Sequence, residues 1–373
     1  MPLTCLAAAF RGLGPVARAE LRDVLGADTG RSAVFPTRNF DLVRFSHAGP
    51  AGDMAKLGTV EDLYLLLDEL ALTGAHADLK ILRDRMLGSR RILPGLDVLG
   101  QYRIATGKRP ARKHGASFRV LCQAEDAPWR RYRRVDMQEV AVKAVKLKFR
   151  DWKLVEDDAD VEIWIQQSGR RAFVSIRLSE IAMRQRDYKI VSLPASLRPT
   201  IARAMALQSR MNDDDVVLDP MCGAGTILIE RALAGRCRML LGGDISQEAV
   251  EAARANFGRR HKPWELAVWN AASLPLPAAS VDKVITNPPW GRQIGSKADN
   301  VPLYAGFLRE SVRVLRAGGI VVLITSEWDL LRTVLARTPG LAVVKTVKNV
   351  SVLGWHADIV TLEKRPGPAP ETT

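Results

Sequence analysis

The stretch Val216-Val-Leu-Asp-Pro-Met-Cys-Gly-Ala-Gly-Thr226, continued by Ile227-Leu-Ile-Glu-Arg-Ala-Leu-Ala234, decides the fold of the C-terminal half. Val216 to Pro220, opening on the apolar run Val-Val-Leu, reads as a buried parallel strand, and from Ile227 the apolar residues return at helical spacing. Between them, Gly223 and Gly225 mark a tight turn. Glycine has no Cβ, so the backbone can reverse there and let a ligand lie against it, at the carboxyl end of a strand where open α/β sheets bind their ligands. Two common ligands of such loops are excluded. A dinucleotide fingerprint puts a third glycine where this chain has Leu228, and a phosphate-cradling loop needs a lysine after its last glycine, where Thr226 stands. An ordinary βα turn is the bland alternative for a lone Gly-x-Gly.

The segments downstream argue against that alternative. Met239-Leu-Leu-Gly-Gly-Asp-Ile245 reads as a second strand ending in Asp244, with Ser246 as the N-cap of the next helix. A carboxylate at that point can accept both hydroxyls of a ribose. Glu265 to Ala272 reads as the third strand and Val281 to Asn287 as the fourth, closed by Asn287-Pro-Pro-Trp290. The two prolines remove two backbone donors and hold both φ angles near one value, so the chain leaves the sheet in a stiff direction with free carbonyls. The Asn287 side-chain oxygen and the Pro288 carbonyl are then two acceptors for the N–H bonds of a purine's exocyclic amine. Holding both would favour a pyramidal nitrogen with its lone pair aimed at an electrophile. Trp290 offers a ring on which a base can stack, worth about 1–3 kcal/mol. A Pro-Pro turn with a buried Trp is the structural alternative, and the matching loop one strand-helix-strand series upstream speaks against it.

Asp219-Pro-Met-Cys-Gly-Ala-Gly-Thr226 is similar to the first motif of S-adenosylmethionine-dependent methyltransferases. Asn-Pro-Pro-Trp-Gly-Arg-Gln-Ile, from Asn287 to Ile294, resembles the THUMP-containing tRNA guanine-N2 methyltransferases. Upstream, Gly12-Leu-Gly-Pro-Val-Ala-Arg-Ala-Glu-Leu-Arg22 resembles the first helix of the ferredoxin-like module that begins these proteins, and Val161 to Leu178 resembles the hairpin that ends a THUMP domain. The resemblance implies an α/β chain. Its C-terminal part, residues 198–365, is a Rossmann-like class I methyltransferase domain with a doubly wound sheet and an antiparallel last strand. Before it come a ferredoxin-like α+β module (1–72), a THUMP RNA-binding domain (73–183) and a linker (184–197), and after it a disordered tail (366–373). The implied cofactor is S-adenosyl-L-methionine. Ala195-Ser-Leu-Arg-Pro-Thr200 resembles a segment that contacts it, through Leu197, Arg198 and Pro199. By the same resemblance it is held by Asp219, Met221, Cys222, Gly223, Gly225 and Thr226, by Asp244 and Ile245, by Asn270, Ala271 and Ala272, and by Asn287. The family often carries an aspartate near Asn270 to accept from the adenine amino group, which Asn270 can do through its amide oxygen. The implied reaction is direct methyl transfer to the exocyclic amine of a flipped guanine in tRNA, with Asn287, Pro288, Pro289 and Trp290 as the catalytic loop.

Composition agrees independently. A chain of 373 residues that is 47% hydrophobic can fill two or three cores. No apolar run is long enough to span a membrane, and Leu3 to Phe10 lacks the basic flank of a signal peptide. The four cysteines, at positions 5, 122, 222 and 237, and the five histidines have neither metal nor disulfide spacing, which suits a metal-free protein of the reducing cytoplasm. Cys222 reads as a small loop residue. A thiol that attacks cytosine carbon would stand near the fourth strand, where this chain has Trp290.

The net charge of +14 is concentrated: residues 101–200 carry 22 Lys and Arg against 12 Asp and Glu. Within or beside that segment, Lys108, Arg109, Arg112, Lys113, Arg130, Arg131, Arg133, Arg134, Lys143, Lys146, Arg184 and Arg186 form clusters suited to RNA phosphates. Any one cluster alone reads as a solvated surface; their concentration in one region favours RNA, with tRNA foremost and no obligate protein partner evident. Residues 1–72 read as a helix at 14–25, a strand from Asn39 to Phe45 and a helix after Val60. Further expectations are a helix from Leu79 to Leu87, a strand from Phe118 to Gln123, a basic helix from Val135 to Phe149 and a hairpin turning at Ser168-Gly169. The strand from Leu341 to Val352 and its successor, around Leu353-Gly-Trp355, read as a closing hairpin. Ribosomal RNA guanine-N2, DNA adenine-N6 and protein glutamine methylation use a similar Asn-Pro-Pro loop, although glutamine methyltransferases lack a basic N-terminal half of this type. A non-catalytic RNA-binding protein is the alternative of another class, and intact Asp219, Asp244 and Asn287 argue against it.

Overall fold

A computed structural model describes residues 2–30, 34–261, 263–291, 297–352 and 354–365, with backbone alone for 297–299. The expectations for Arg292 to Ile294, Leu353 and the tail at 366–373 lie outside the described residues. The chain divides into two units, Met1–Met183 and Arg184–Thr373.

The first unit runs β1 (Leu3–Phe10), α1 (Gly14–Leu25), β2 (Val34–Pro36), β3 (Phe40–His47), β4 (Asp62–Ala71), α2 (Ala77–Gly88), α3 (Ile92–Ala105), β5 (Ser117–Gln123), α4 (Arg134–Lys148), β6 (Lys153–Leu154), β7 (Val161–Ser168) and β8 (Arg171–Arg177). All eight strands join one sheet in the order β2-β3-β1-β4-β8-β7-β5-β6. The expected helix after Val60 is the strand β4. Its Leu-Tyr-Leu-Leu-Leu run has helix-forming residues, but Leu63 to Leu67 are all buried because β4 lies mid-sheet between β1 and β8. Tertiary packing on both faces outweighs local propensity there. The sheet is continuous across residue 72, so the N-terminal module and the α+β segment after it share one ladder. The hairpin of β7 and β8 closes at Ser168 and Arg171 around Gly169, whose φ of 55° suits glycine in a tight two-residue turn.

The second unit runs α5 (Pro199–Gln208), β9 (Val216–Asp219), α6 (Thr226–Ala234), β10 (Met239–Asp244), α7 (Gln247–Phe257), β11 (Trp264–Val268), β12 (Val281–Thr286), α8 (Lys297–Val314), β13 (Leu315–Thr325), α9 (Trp328–Leu335), β14 (Leu341–Val352) and β15 (Trp355–Lys364). Its sheet order is β11-β10-β9-β12-β13-β15-β14. The strands β9 to β13 are parallel, and β15 inserts antiparallel between β13 and β14. Strand order reverses between β9 and β12. That reversal is the switch point at which open α/β sheets form a crevice.

Residues 184–197, expected as a linker, pack onto the second unit. Glu230 on α6 is fully buried and accepts from Arg186 Nε and Arg203 Nε, each at 3.1 Å, and from the Tyr188 hydroxyl at 2.9 Å. Asn256 on α7 holds the same segment a few residues on: its Oδ1 accepts from Val191 N, while its Nδ2 donates to the carbonyls of Val191 and Ala224. Removing one partner of such a buried cluster leaves charges unpaired in an apolar interior. Glu230→Ala should therefore lower stability by about 3–5 kcal/mol in denaturant unfolding of the full chain. Asp187→Ala, which breaks the exposed Arg260–Asp187 pair, should cost under about 1 kcal/mol.

Candidate active site

The glycine loop between β9 and α6 is held from the neighbouring strand. Cys222 N donates to the Gly243 carbonyl at 2.9 Å, and Gly223 N donates to Asp244 Oδ2 at 3.0 Å. Gly225 has φ 78°, and a Cβ there would press on Phe257 and Ala253 of α7 at about the closest contact tolerated, 3.1 and 3.2 Å. Asp244 Oδ1 accepts from Ser246 N at 3.1 Å, and Ser246 caps α7 by accepting from Ala249 N. Each Asp244 oxygen has a second lone pair left for a ligand hydroxyl. Ile245, next in the chain, is 76% exposed. A large aliphatic side chain in the open beside a carboxylate suits a flat apolar ligand group. Leu197 and Pro199 are buried and Arg198 is exposed, with Lys189 Nζ donating to the Leu197 carbonyl at 3.0 Å.

Trp269 gave no signal in the sequence, yet it shapes this end of the sheet. Its indole lies so close over Gly243 that a Cβ there would sit 2.2 Å from the ring, and its Nε1 donates to the Pro220 carbonyl at 3.1 Å. Only glycine fits at position 243. The expected third strand stops at Val268, because Asn270 turns the chain: its Oδ1 accepts from Ala272 N at 2.9 Å. That oxygen is thus engaged in a local turn and has one lone pair remaining for an adenine amine, a weaker arrangement than the one expected. The helix α8 braces the same loop: a Cβ on Gly306 would meet the Ala272 Cβ at 2.4 Å, and Glu310 Oε2 accepts from Leu274 N at 2.7 Å.

The strands β9 and β12 are neighbours, pairing Val217 with Lys283 and Leu218 with Val284, so Asp219 and Thr286-Asn287 emerge side by side. Asp219 Oδ2, the Thr226 and Thr286 hydroxyls and Asn287 Oδ1 are buried without a well-formed hydrogen bond inside the protein. Four under-satisfied polar atoms at one crevice, with at most the Thr286 hydroxyl leaning on the Asp219 carboxyl, are uncommon in a folded interior and fit a polar ligand. Asp219 is 1% exposed; burial pushes its carboxyl up to about 7, against the pull of the Thr286 hydroxyl and the Met221 amide. Burial also holds the Cys222 thiol well above its ordinary range, which suits an inert loop residue. Pro288 is buried, and Trp290 is half-buried with its Nε1 donating to the Ile324 carbonyl at 3.2 Å. The ring is thereby pinned at the end of β13.

Residues 186–357 match the family described as UPF0020: RMKL-like, methyltransferase domain. This segment is similar to a methyltransferase domain. Among curated relatives, the chain is 31% identical over 227 residues to mouse tRNA (guanine(6)-N(2))-methyltransferase THUMP3, covering 57% of this chain and 45% of that one. It is 31% identical over 206 residues to the tRNA (guanine(6)-N2)-methyltransferase of Thermus thermophilus, covering 55% of this chain and 60% of the relative. The chain spans less than half the length of the mouse protein it matches. The fold extends beyond the matched methyltransferase domain. The crystal structure of TrmN from Thermus thermophilus superposes with a TM-score of 0.76 at 24% identity, over 97% of this chain and 99% of that one. A structure of SMU.472 complexed with SAH superposes with a TM-score of 0.66 at 16% identity, over 98% and 99%.

The basic residues expected to meet RNA divide by burial. Lys108, Arg109, Arg112, Arg131, Lys143 and Lys146 are exposed, and so are Lys113, paired with Asp97 at 2.5 Å, and Arg133, paired with Asp136 at 3.1 Å. Arg134 is exposed at the start of α4 and donates to the Cys122 carbonyl. Arg130 does not belong with them. Its guanidinium is buried and donates to Gln167 Oε1 at 2.5 Å and to the Tyr132 carbonyl, so it braces β7 rather than reaching solvent. Arg186 is likewise committed to Glu230, while Arg184 is half-buried. The sequence reading missed Arg11 and Arg38, which line a cleft of about 1180 Å³ in the first unit together with Arg134, Gln138, Trp164 and Gln167. Among the described residues, no helix is long and apolar enough to cross a membrane, and no three His, Cys, Asp or Glu side chains group as a metal site.

The Asp219 carboxyl carries a pH signature. Protonated up to about 7 when folded but only to about 3.8 when unfolded, it draws a proton on folding, so its contribution to stability falls as pH rises through that window. Asp219→Asn should abolish that slope. Thermal unfolding of the ligand-free protein should show the variant gaining on the parent from pH 5 to pH 8; a parallel pair of curves would show Asp219 to be ionised when folded.

Proposed function

We propose that this protein transfers a methyl group from S-adenosylmethionine to the N2 amine of a guanine in RNA, with tRNA as the substrate. The observation that carries the reading is the adjacency of the orphaned Asn287 Oδ1 to the glycine loop across the β9–β12 switch point. S-adenosylmethionine, when bound, supplies an electrophilic methyl on sulfonium. The residues that would hold it are the glycine loop from Met221 to Thr226, Asp244 for the ribose hydroxyls, Ile245 against the adenine, and Asn270 to Ala272 at its edge. Leu197 to Pro199 would close the other side. The names of the relatives support guanine N2 as the target and tRNA as its carrier.

The guanine N2 amine is a poor nucleophile because its lone pair is delocalised into the ring. Asn287 Oδ1 and the Pro288 carbonyl would each accept one N–H, pyramidalise the nitrogen and aim its lone pair at the methyl carbon. The pair Pro288-Pro289 fixes the direction of the loop, and Trp290, tethered to Ile324, holds the flipped base by stacking. Residues 1–183, read as a ferredoxin-like module and a THUMP-type domain divided near residue 72, supply the phosphate grip through Lys108, Arg109, Arg112, Lys113, Arg131, Arg133, Arg134, Lys143 and Lys146. A cytoplasmic location accords with that substrate and with four unpaired cysteines.

Two outcomes are expected. Asn287→Ala should slow single-turnover methyl transfer by about a hundredfold, about 3 kcal/mol, with RNA affinity nearly unchanged. Transfer at the parental rate under saturating cofactor would make the loop a mere turn. Reversing the charges of Arg131, Arg133, Lys143 and Lys146 should weaken RNA binding and flatten its salt dependence by roughly 0.7–0.9 in log–log slope for each phosphate that is no longer neutralised. Filter binding across a salt series measures both.

A further inference from the structure

Among the described residues, Trp355 is the one Phe, Tyr or Trp that is exposed, with 50% of its surface open to solvent. Trp is a large amphipathic ring of the kind enriched where a protein meets a partner, and its place in the fold says which partner. It opens β15 at the tip of the β14–β15 hairpin, paired with Val352. A Cβ on the neighbouring Gly354 would meet nothing within 4 Å, so the chain beside the ring borders open space. Trp355 makes a contact of its own within the protein, and half its surface remains open all the same. The tip stands past the rim at which the parallel strands end. Asp358 pairs with Thr325, the last residue of β13, and Ile359 pairs with Ile324, whose carbonyl holds the Trp290 indole. From Ile359 back to Trp355 the strand runs roughly 13 Å, and with only β13 between β15 and β12 the lateral separation is roughly 10 Å. A bulge sits at the level of the rim: Val347 pairs with Ile359 and Val350 with Ala357, while Asn349, at φ 57°, donates its N–H to Asp358 Oδ1 at 2.9 Å. Bulges bend a strand and recur beside active sites. From Val343 to Ala357 the sequence has no Asp or Glu, and Lys345, Lys348 and His356 in that stretch are exposed.

We propose that Trp355 is a stacking platform for an RNA base that neighbours the target in the strand, with Lys348 neutralising a phosphate beside it; the assignment rests on the reading of the site given above. Flipping the target nucleotide out of its stack strips the adjacent bases of a partner. An exposed indole replaces that partner whatever the neighbouring base is, because every base has a π-face. The distance from the end of β12 to the hairpin tip is about that spanned by five stacked nucleotides at roughly 3.4 Å each. The ring therefore serves a neighbour of the target, and Trp290 the target itself. A docked protein would also cover an exposed indole, but a tip that carries cations and no acid favours a polyanion.

The test uses the full chain with unmodified tRNA as the probe, read by filter binding across a salt series and by single-turnover methyl transfer at sub-saturating RNA. Trp355→Ala should weaken tRNA binding roughly five- to a hundredfold and slow transfer by the same factor. Trp355→Phe should recover most of both, whereas Trp355→Leu, apolar but without a π-face, should behave as the alanine variant. The log–log salt slope should stay parental in all three, because stacking releases no counterions, while Lys348→Ala should flatten it by roughly 0.7–0.9. Cofactor affinity by calorimetry should be unchanged throughout. Should the alanine variant fail to fold, the leucine variant decides in its place. Parental tRNA affinity and transfer in Trp355→Ala or Trp355→Leu overturns the assignment alone and leaves the ring to a protein surface. A parent protein that neither binds tRNA nor methylates a guanine in it overturns the reading of the site and this assignment with it.

Discussion

The pairing of β9 with β12 is the constraint on which the candidate site depends. Those strands are far apart in sequence, yet their register brings the glycine loop after Asp219 and the Asn-Pro-Pro-Trp loop after Thr286 to one crevice. The rest of the second unit maintains that adjacency. On one flank β10 supplies Asp244, which ties Gly223; on the other β13 anchors Trp290 through the Ile324 carbonyl. The helix α8 links the two loops, since it follows the Asn-Pro-Pro-Trp loop in the chain and braces the turn at Ala272 and Leu274.

Behind the crevice the same logic uses buried charge. Arg186, Arg203 and Tyr188 converge on Glu230 in α6, while Asn256 ties Val191 to the Ala224 carbonyl within the glycine loop. Residues 184–197 are thus part of the floor beneath the loop. A buried ionic cluster is an expensive way to gain stability, and its attested use is to fix one arrangement among several. Here the arrangement fixed is the path of the chain through Leu197 and Arg198 into α5.

Much of this was legible in the sequence because loops that bind ligands are local. Glycine, proline and a strand-ending acid declare their geometry from a few neighbours, and the βα alternation after Pro199 declares the sheet. What failed to show depended on distant packing. The Leu-rich β4 reads locally as helix and becomes a strand only because β1 and β8 flank it. Arg130 and Arg186 sit among solvated basic residues in sequence, but each meets a buried acceptor, Gln167 and Glu230, 37 and 44 residues away. Trp269 was invisible as a site residue since its role is defined by contact with Gly243, and the cleft holding Arg11 and Arg38 forms only once the eight-stranded sheet is assembled.

The central claim is chemical: a methyl group goes to an exocyclic purine amine positioned by the Asn287 loop. The most direct measurement is nucleoside mass spectrometry of unmodified tRNA incubated with the protein and S-adenosylmethionine carrying a deuterated methyl group. The account predicts that the label appears in N2-methylguanosine. Label recovered instead in a base methylated at a ring carbon or ring nitrogen would contradict it.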